Sequence, residues 1–71
     1  MEETYFLTSS ITYAMRGEEL LRNSGFRAHV VRDRELNPHG CGYAICVRGD
    51  RRAAEALLVS GHIRTVGVRE A

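Results

Sequence analysis

Apolar positions fall into short blocks whose spacing switches twice from the strand period to the helix period and back. Tyr5-Phe6-Leu7-Thr8 is an aromatic-rich run that predicts a buried strand. Ser9 and Ser10 follow as candidate N-caps, because a serine hydroxyl accepts from an orphan helix N–H. From Ile11 to Ser24 the spacing is helical. Ala14, Gly17, Leu21 and Ser24 share a stripe, with Tyr13 and Leu20 beside it. Gly17 weakens such a helix by about 1 kcal/mol against alanine, a cost that close approach to a sheet would offset. Gly25 stops the helix in the left-handed conformation.

Phe26 to Arg32 predicts a second strand, in which Ala28 and Val30 alternate with His29, leaving His29 on the opposite face. Asp33 to Gly42 is irregular and holds the only proline, Pro38. Tyr43 to Val47 predicts a third strand, with Tyr43, Ile45 and Val47 on one face and Ala44 and Cys46 on the other. Asp50 caps a second helix, Arg51 to Ser60, with Ala54, Leu57 and Leu58 as its apolar stripe. Gly61 ends it, His62 follows as a solvated loop residue, and Ile63 to Val68 forms the last strand.

The order is βαββαβ, and an internal echo supports it. Leu20-Leu21-Arg22-Asn23-Ser24-Gly25-Phe26-Arg27 matches Leu57-Leu58-Val59-Ser60-Gly61-His62-Ile63-Arg64 as helix end, glycine stop and strand start. Two such halves predict an α+β, ferredoxin-like sandwich: a four-stranded antiparallel sheet with both helices on one face. The 71 residues are expected to form one domain. A chain of this size buries only about 60% of its unfolded surface, which leaves room for a homodimer to add stability.

Composition narrows the function classes. The net charge of +1 gives no reason to expect a polyanionic partner. The central strands lack the aromatic motif of ferredoxin-like RNA binders, so no nucleic acid is expected. All ten basic residues are arginine, which excludes lysine Schiff-base chemistry and a Walker-type lysine. No apolar run approaches the ~20 residues of a membrane span. Two cysteines are too few for a disulfide scaffold, and the acidic start is unlike a signal peptide. The expectation is a cytoplasmic protein with reduced thiols.

The chemically pointed segment is His39-Gly40-Cys41-Gly42. Gly40 and Gly42 allow a sharp turn and close approach to the sulfur. Successive backbone N–H groups in such a turn stabilise an anion, and a thiolate is an anion whose reactive fraction rises as its pKa falls. His39 could handle a proton, and Arg34 or Arg48 could add positive field. The plain alternative is that Cys41 is only a small residue in a glycine turn. Cys46 lies within a strand at a Cys-x4-Cys spacing and reads as a small sheet residue, with a second-thiol role left open. His39, Cys41 and Cys46, with His29 or His62, match no zinc spacing, so no metal or other cofactor is expected.

Aromatic Tyr5-Phe6-Leu7-Thr8, the helix Ala14-Met15-Arg16-Gly17-Glu18-Glu19-Leu20-Leu21 ending at Gly25, and Arg34-Glu35-Leu36 followed by Cys41-Gly42-Tyr43-Ala44-Ile45 together resemble the small bacterial selenium/sulfur carrier-like proteins, a domain-of-unknown-function family. The likeness spans nearly the whole chain. It implies that Cys41 carries sulfur or selenium, received from a donor such as a cysteine desulfurase and passed to an acceptor enzyme, so that the protein is a carrier rather than a catalyst. Asn37-Pro38-His39-Gly40 departs from the serines that tend to precede the family's cysteine. Two other readings stand beside it: a protein-interaction or small-ligand-binding module in which Cys41 is a turn residue, and a thiol-based metal chaperone.

Overall fold

The computed structural model describes residues 3–32, 35 and 42–70. The chain runs β1 (Glu3–Thr8), α1 (Ile11–Asn23), β2 (Arg27–Arg32), β3 (Tyr43–Arg48), α2 (Arg51–Ser60) and β4 (Thr65–Glu70). The strands form one antiparallel sheet in the order β2-β3-β1-β4. This is the expected α+β, ferredoxin-like arrangement. Strand starts and ends differ from the sequence expectation by at most two residues: β1 begins at Glu3 rather than Tyr5, and β4 runs over Thr65–Glu70 rather than from Ile63 to Val68.

Alternation along the strands sorts the two sheet faces. Phe6, Ala28, Ile45 and Val47 turn towards the helices and close a core with Ala14, Leu21, Ala54, Leu58 and Ile63. α1 buries Ala14, Gly17 and Leu21, as its stripe predicts. Ser24, placed on that stripe by spacing, is instead exposed at the C-cap, where the helix has already ended. At Gly17 an added Cβ would collide with the Ile45 side chain and sit 3.1 Å from Leu58 Cδ2. Close approach of α1 to β3 and α2 therefore explains a glycine in mid-helix.

Capping fixes both helix starts. Ser10 Oγ accepts from the Tyr13 N–H at 3.2 Å, and Asp50 Oδ1 accepts from the Arg52 N–H at 2.9 Å. The helix ends are two copies of one Schellman motif. Phe26 N–H donates to the Leu21 carbonyl and Gly25 N–H to the Arg22 carbonyl; Ile63 N–H donates to Leu58 and His62 N–H to Val59. Gly61 ends α2 as expected, but the two stops differ in which residue turns left-handed. Gly25 has a φ of +92°, but its counterpart is His62, at +58°, and Gly61 has an ordinary φ of −87°. Gly61 is small for a different reason: a Cβ there would lie 2.5 Å from Leu20 Cδ2.

Candidate functional site

Of the segment singled out by sequence, His39, Gly40 and Cys41 lie outside the described residues, as does Arg34. Gly42 is described. It is buried and adopts a φ of +82°, a region that favours glycine, immediately before β3. β3 is a central strand, so the chain leaving Gly42 is held on both sides at once. Tyr43 pairs with Arg32 on β2, and the next residue, Ala44, pairs with Leu7 on β1.

The surroundings of that strand start are built by three elements. The Thr8 hydroxyl lies 3.2 Å from the Tyr43 carbonyl and 3.1 Å from the Ser10 carbonyl, which ties the end of β1 to the start of β3 and to the cap of α1. α1 carries no acidic residue in its first turn, so its N-terminal dipole is not neutralised there. The Arg32 guanidinium stands 5.5 Å from the centroid of the Tyr43 ring, within cation–π range. Positive charge and a helix N-terminus thus flank the start of β3, just after Gly42. Sequence reasoning missed Arg32. The signal was present in the strand alternation, but pairing Arg32 with Tyr43 requires the β2–β3 register. Arg48, considered as a source of field for the cysteine loop, sits at the far end of β3, about 16 Å along the strand from Tyr43. There its Nε donates to Glu3 Oε2 at 3.1 Å.

Cys46 is a different kind of thiol. It lies on the sheet face away from the helices, opposite Tyr5 on β1 and His29 on β2, and is only 3% exposed. Burial is the main cause pushing its pKa up, and the Glu3 carboxylate adds to it. A hydrogen bond with Tyr5 and the charge of Arg48 act in the opposite direction. The Cys46 sulfur in turn raises the Tyr5 phenol, with Glu3 contributing. Glu3 itself is held below the usual carboxylate range, chiefly by the hydrogen bond from Arg48. A neutral, covered thiol is a poor nucleophile and a poor metal ligand, in keeping with a small sheet residue.

Of the metal arrangement considered from sequence, His39 and Cys41 lie outside the described residues, and Cys46, His29 and His62 lie among them. No group of three or more His, Cys, Asp or Glu side chains there could hold a metal ion. His29 lies beside Cys46 on the open sheet face, whereas His62 is an exposed turn residue just past the Gly61 cap of α2. Arg51, at the start of α2, donates to Glu70 Oε1 at 2.8 Å, so β4 supplies a local acidic partner for it. No described helix is long and apolar enough to cross a membrane. In comparisons with known proteins, no family model matches the chain, and no curated protein or solved structure matches it either.

Proposed function

We propose that this protein carries sulfur or selenium on Cys41 as a persulfide or selenopersulfide. The observation that carries the reading is the withdrawal of Cys46: burial keeps that thiol protonated and covered, so thiol chemistry in this chain falls to Cys41. The buried, left-handed Gly42 beside it and the positive charge of Arg32 one strand away support the same reading. So does the likeness of Cys41-Gly42-Tyr43-Ala44-Ile45 to the carrier-like family.

In this mechanism the Cys41 thiolate attacks the outer sulfur of a persulfide held by a donor such as a cysteine desulfurase. A new S–S bond forms on Cys41, the donor's S–S bond breaks, and the donor departs as a thiolate. Attack by an acceptor thiolate on the outer atom then returns Cys41 to its starting state, with no net oxidation. Selenium follows the same course. Gly40 and Gly42 give the approaching sulfur access to the backbone turn, and His39 takes or returns the thiol proton. A reducing compartment, the cytoplasm, suits such a thiol.

Intact-protein mass spectrometry tests this after incubation with a cysteine desulfurase and cysteine, or with selenocysteine. The expected result is a thiol-labile gain of one sulfur or selenium atom that survives Cys46→Ser and disappears in Cys41→Ser. No adduct, or one formed equally on Cys46, would favour the interaction module, for which Cys41→Ser leaves function intact.

A further inference from the structure

The registers arrange the sheet face away from the helices in rows that run across the strands. In the row nearest Gly42 the central members, Leu7 and Ala44, are buried. The next row is Arg69, Tyr5, Cys46 and His29, and the last is Glu3, Arg48 and Arg27. Arg27, His29, Arg48 and Arg69 are all exposed. Glu3 is the one acid in these two rows, and both of its oxygens are engaged. Oε1 accepts from the Tyr5 hydroxyl at 3.3 Å and Oε2 from Arg48 Nε at 3.1 Å. Among the described residues, the Arg27 and Arg69 side chains have neither a hydrogen bond nor an ion pair. The open part of the face therefore presents donors and positive charge, and its one carboxylate is already used.

That charge selects the occupant. Arg27 stands directly opposite Arg48 across the β2–β3 pair, and like charges so placed are destabilising. A carboxylate lying over the two guanidiniums replaces the repulsion with charge-assisted hydrogen bonds. Arg69 is on the other edge strand, three strand spacings across and two residues along, about 16 Å from Arg27 between Cα atoms. An occupant that engages both is thus an extended chain and not a single small ion. A second copy of this chain is unsuited, because a two-fold contact centred on this face sets arginine against arginine. A polynucleotide is unsuited too. Two unpaired cations release few counterions, and Tyr5, the one aromatic ring in these rows, is half-buried and tied to Glu3.

We propose that this face docks an acidic segment of a partner protein, with one carboxylate over Arg27 and Arg48, another at Arg69, and the segment crossing Tyr5. Exposed ion pairs contribute little each, so the contact is weak and is released by salt, as suits a protein that visits successive partners. The partner's role rests on the carrier reading, in which it is the donor or the acceptor enzyme. The docking itself uses no thiol.

Titration with a fluorescently labelled peptide of alternating glutamate and alanine tests the proposal at low ionic strength, read by anisotropy and by amide NMR shifts. The expected shifts lie on β1, β2, β3 and β4 around Tyr5, Arg27, His29, Arg48 and Arg69, and not along the helices. Arg27→Glu and Arg69→Glu each weaken binding about fivefold. Arg16→Glu, an equal charge change at an exposed position on α1, leaves it unchanged, and circular dichroism establishes that each variant is folded. Cys41→Ser binds like the wild type, so docking and sulfur transfer fail separately. Absence of binding overturns the proposal. So does weakening by Arg16→Glu equal to that by Arg27→Glu, which would mean attraction by net charge alone. Tighter binding of single-stranded oligothymidylate than of the peptide would also overturn it, in favour of a nucleic acid.

Discussion

The two helix ends offer a matched experiment, because one hydrogen-bond motif is closed by glycine in one copy and histidine in the other. Gly25 and His62 both occupy the position whose N–H bonds back into the last turn, and both have positive φ. A side chain in the left-handed region costs about 1–2 kcal/mol, while glycine forfeits roughly 0.5–1 kcal/mol through its freer unfolded state. At Gly25 an added Cβ meets nothing within 4 Å, so Gly25→Ala tests backbone conformation alone and should destabilise by about 1 kcal/mol. His62→Gly removes the same penalty and should stabilise by about 0.5 kcal/mol, the smaller figure because histidine tolerates this region better than most residues. In a domain of this length 1 kcal/mol moves the melting temperature by about 4–8 °C. Thermal and urea melts at neutral pH would resolve both shifts, with an unchanged urea slope establishing that the denatured state is not responsible. A destabilised His62→Gly would refute the assignment of His62 as the second left-handed cap, and a neutral Gly25→Ala would refute the conformational penalty on which both figures rest.

Two further outcomes follow from buried polar groups. Thr4 is 1% exposed and its Oγ1 has no hydrogen-bond partner among the described residues, so the near-isosteric Thr4→Val should raise stability by about 1 kcal/mol in thermal melts; a loss would mean that the hydroxyl is satisfied. Because burial raises the Cys46 pKa in the folded state, the unfolded chain loses its thiol proton first, at about pH 8.5, and stability declines from there until the folded thiol also ionises. Cys46→Ala should flatten that decline in urea melts taken across the alkaline range, and parallel curves for the two proteins would exclude the thiol as its source.

Much of the fold was legible because its determinants are local. The period switches at Ser10 and Asp50 coincide with observed caps, and the stripe Ala14-Gly17-Leu21 is buried. Gly17 could be read as a point of close approach since little else justifies glycine inside a helix. The second helix end was legible only as to where it falls: Gly61 ends α2, as read, but it is there to clear Leu20, and His62 carries the left-handed φ. Steric demand and conformational demand both select glycine, and a linear sequence does not separate them. Only the hydrogen bonds from His62 and Ile63 back to Val59 and Leu58 do so.

The candidate site was legible to a different depth. Alternation places Cys46 and His29 on the face away from the helices, but it does not say that they are neighbours; that takes the register joining His29 to Cys46 and Cys46 to Tyr5. The same register decides which charges stand at each end of β3. It sends Arg48 to Glu3 at the far end of β3 and brings Arg32 over Tyr43 at the near end. A shift by one residue would turn each side chain to the opposite face, exposing the apolar residues that close the core, so burial of Ile45 and Val47 fixes the register and the register fixes the charges. Core packing on one face of β3 thereby covers Cys46 on the other and leaves positive charge near the strand start. Two cysteines five residues apart are thus not equivalent candidates: the sheet covers and restrains the thiol of Cys46, and that restraint is what favours Cys41 in the proposed carrier reading.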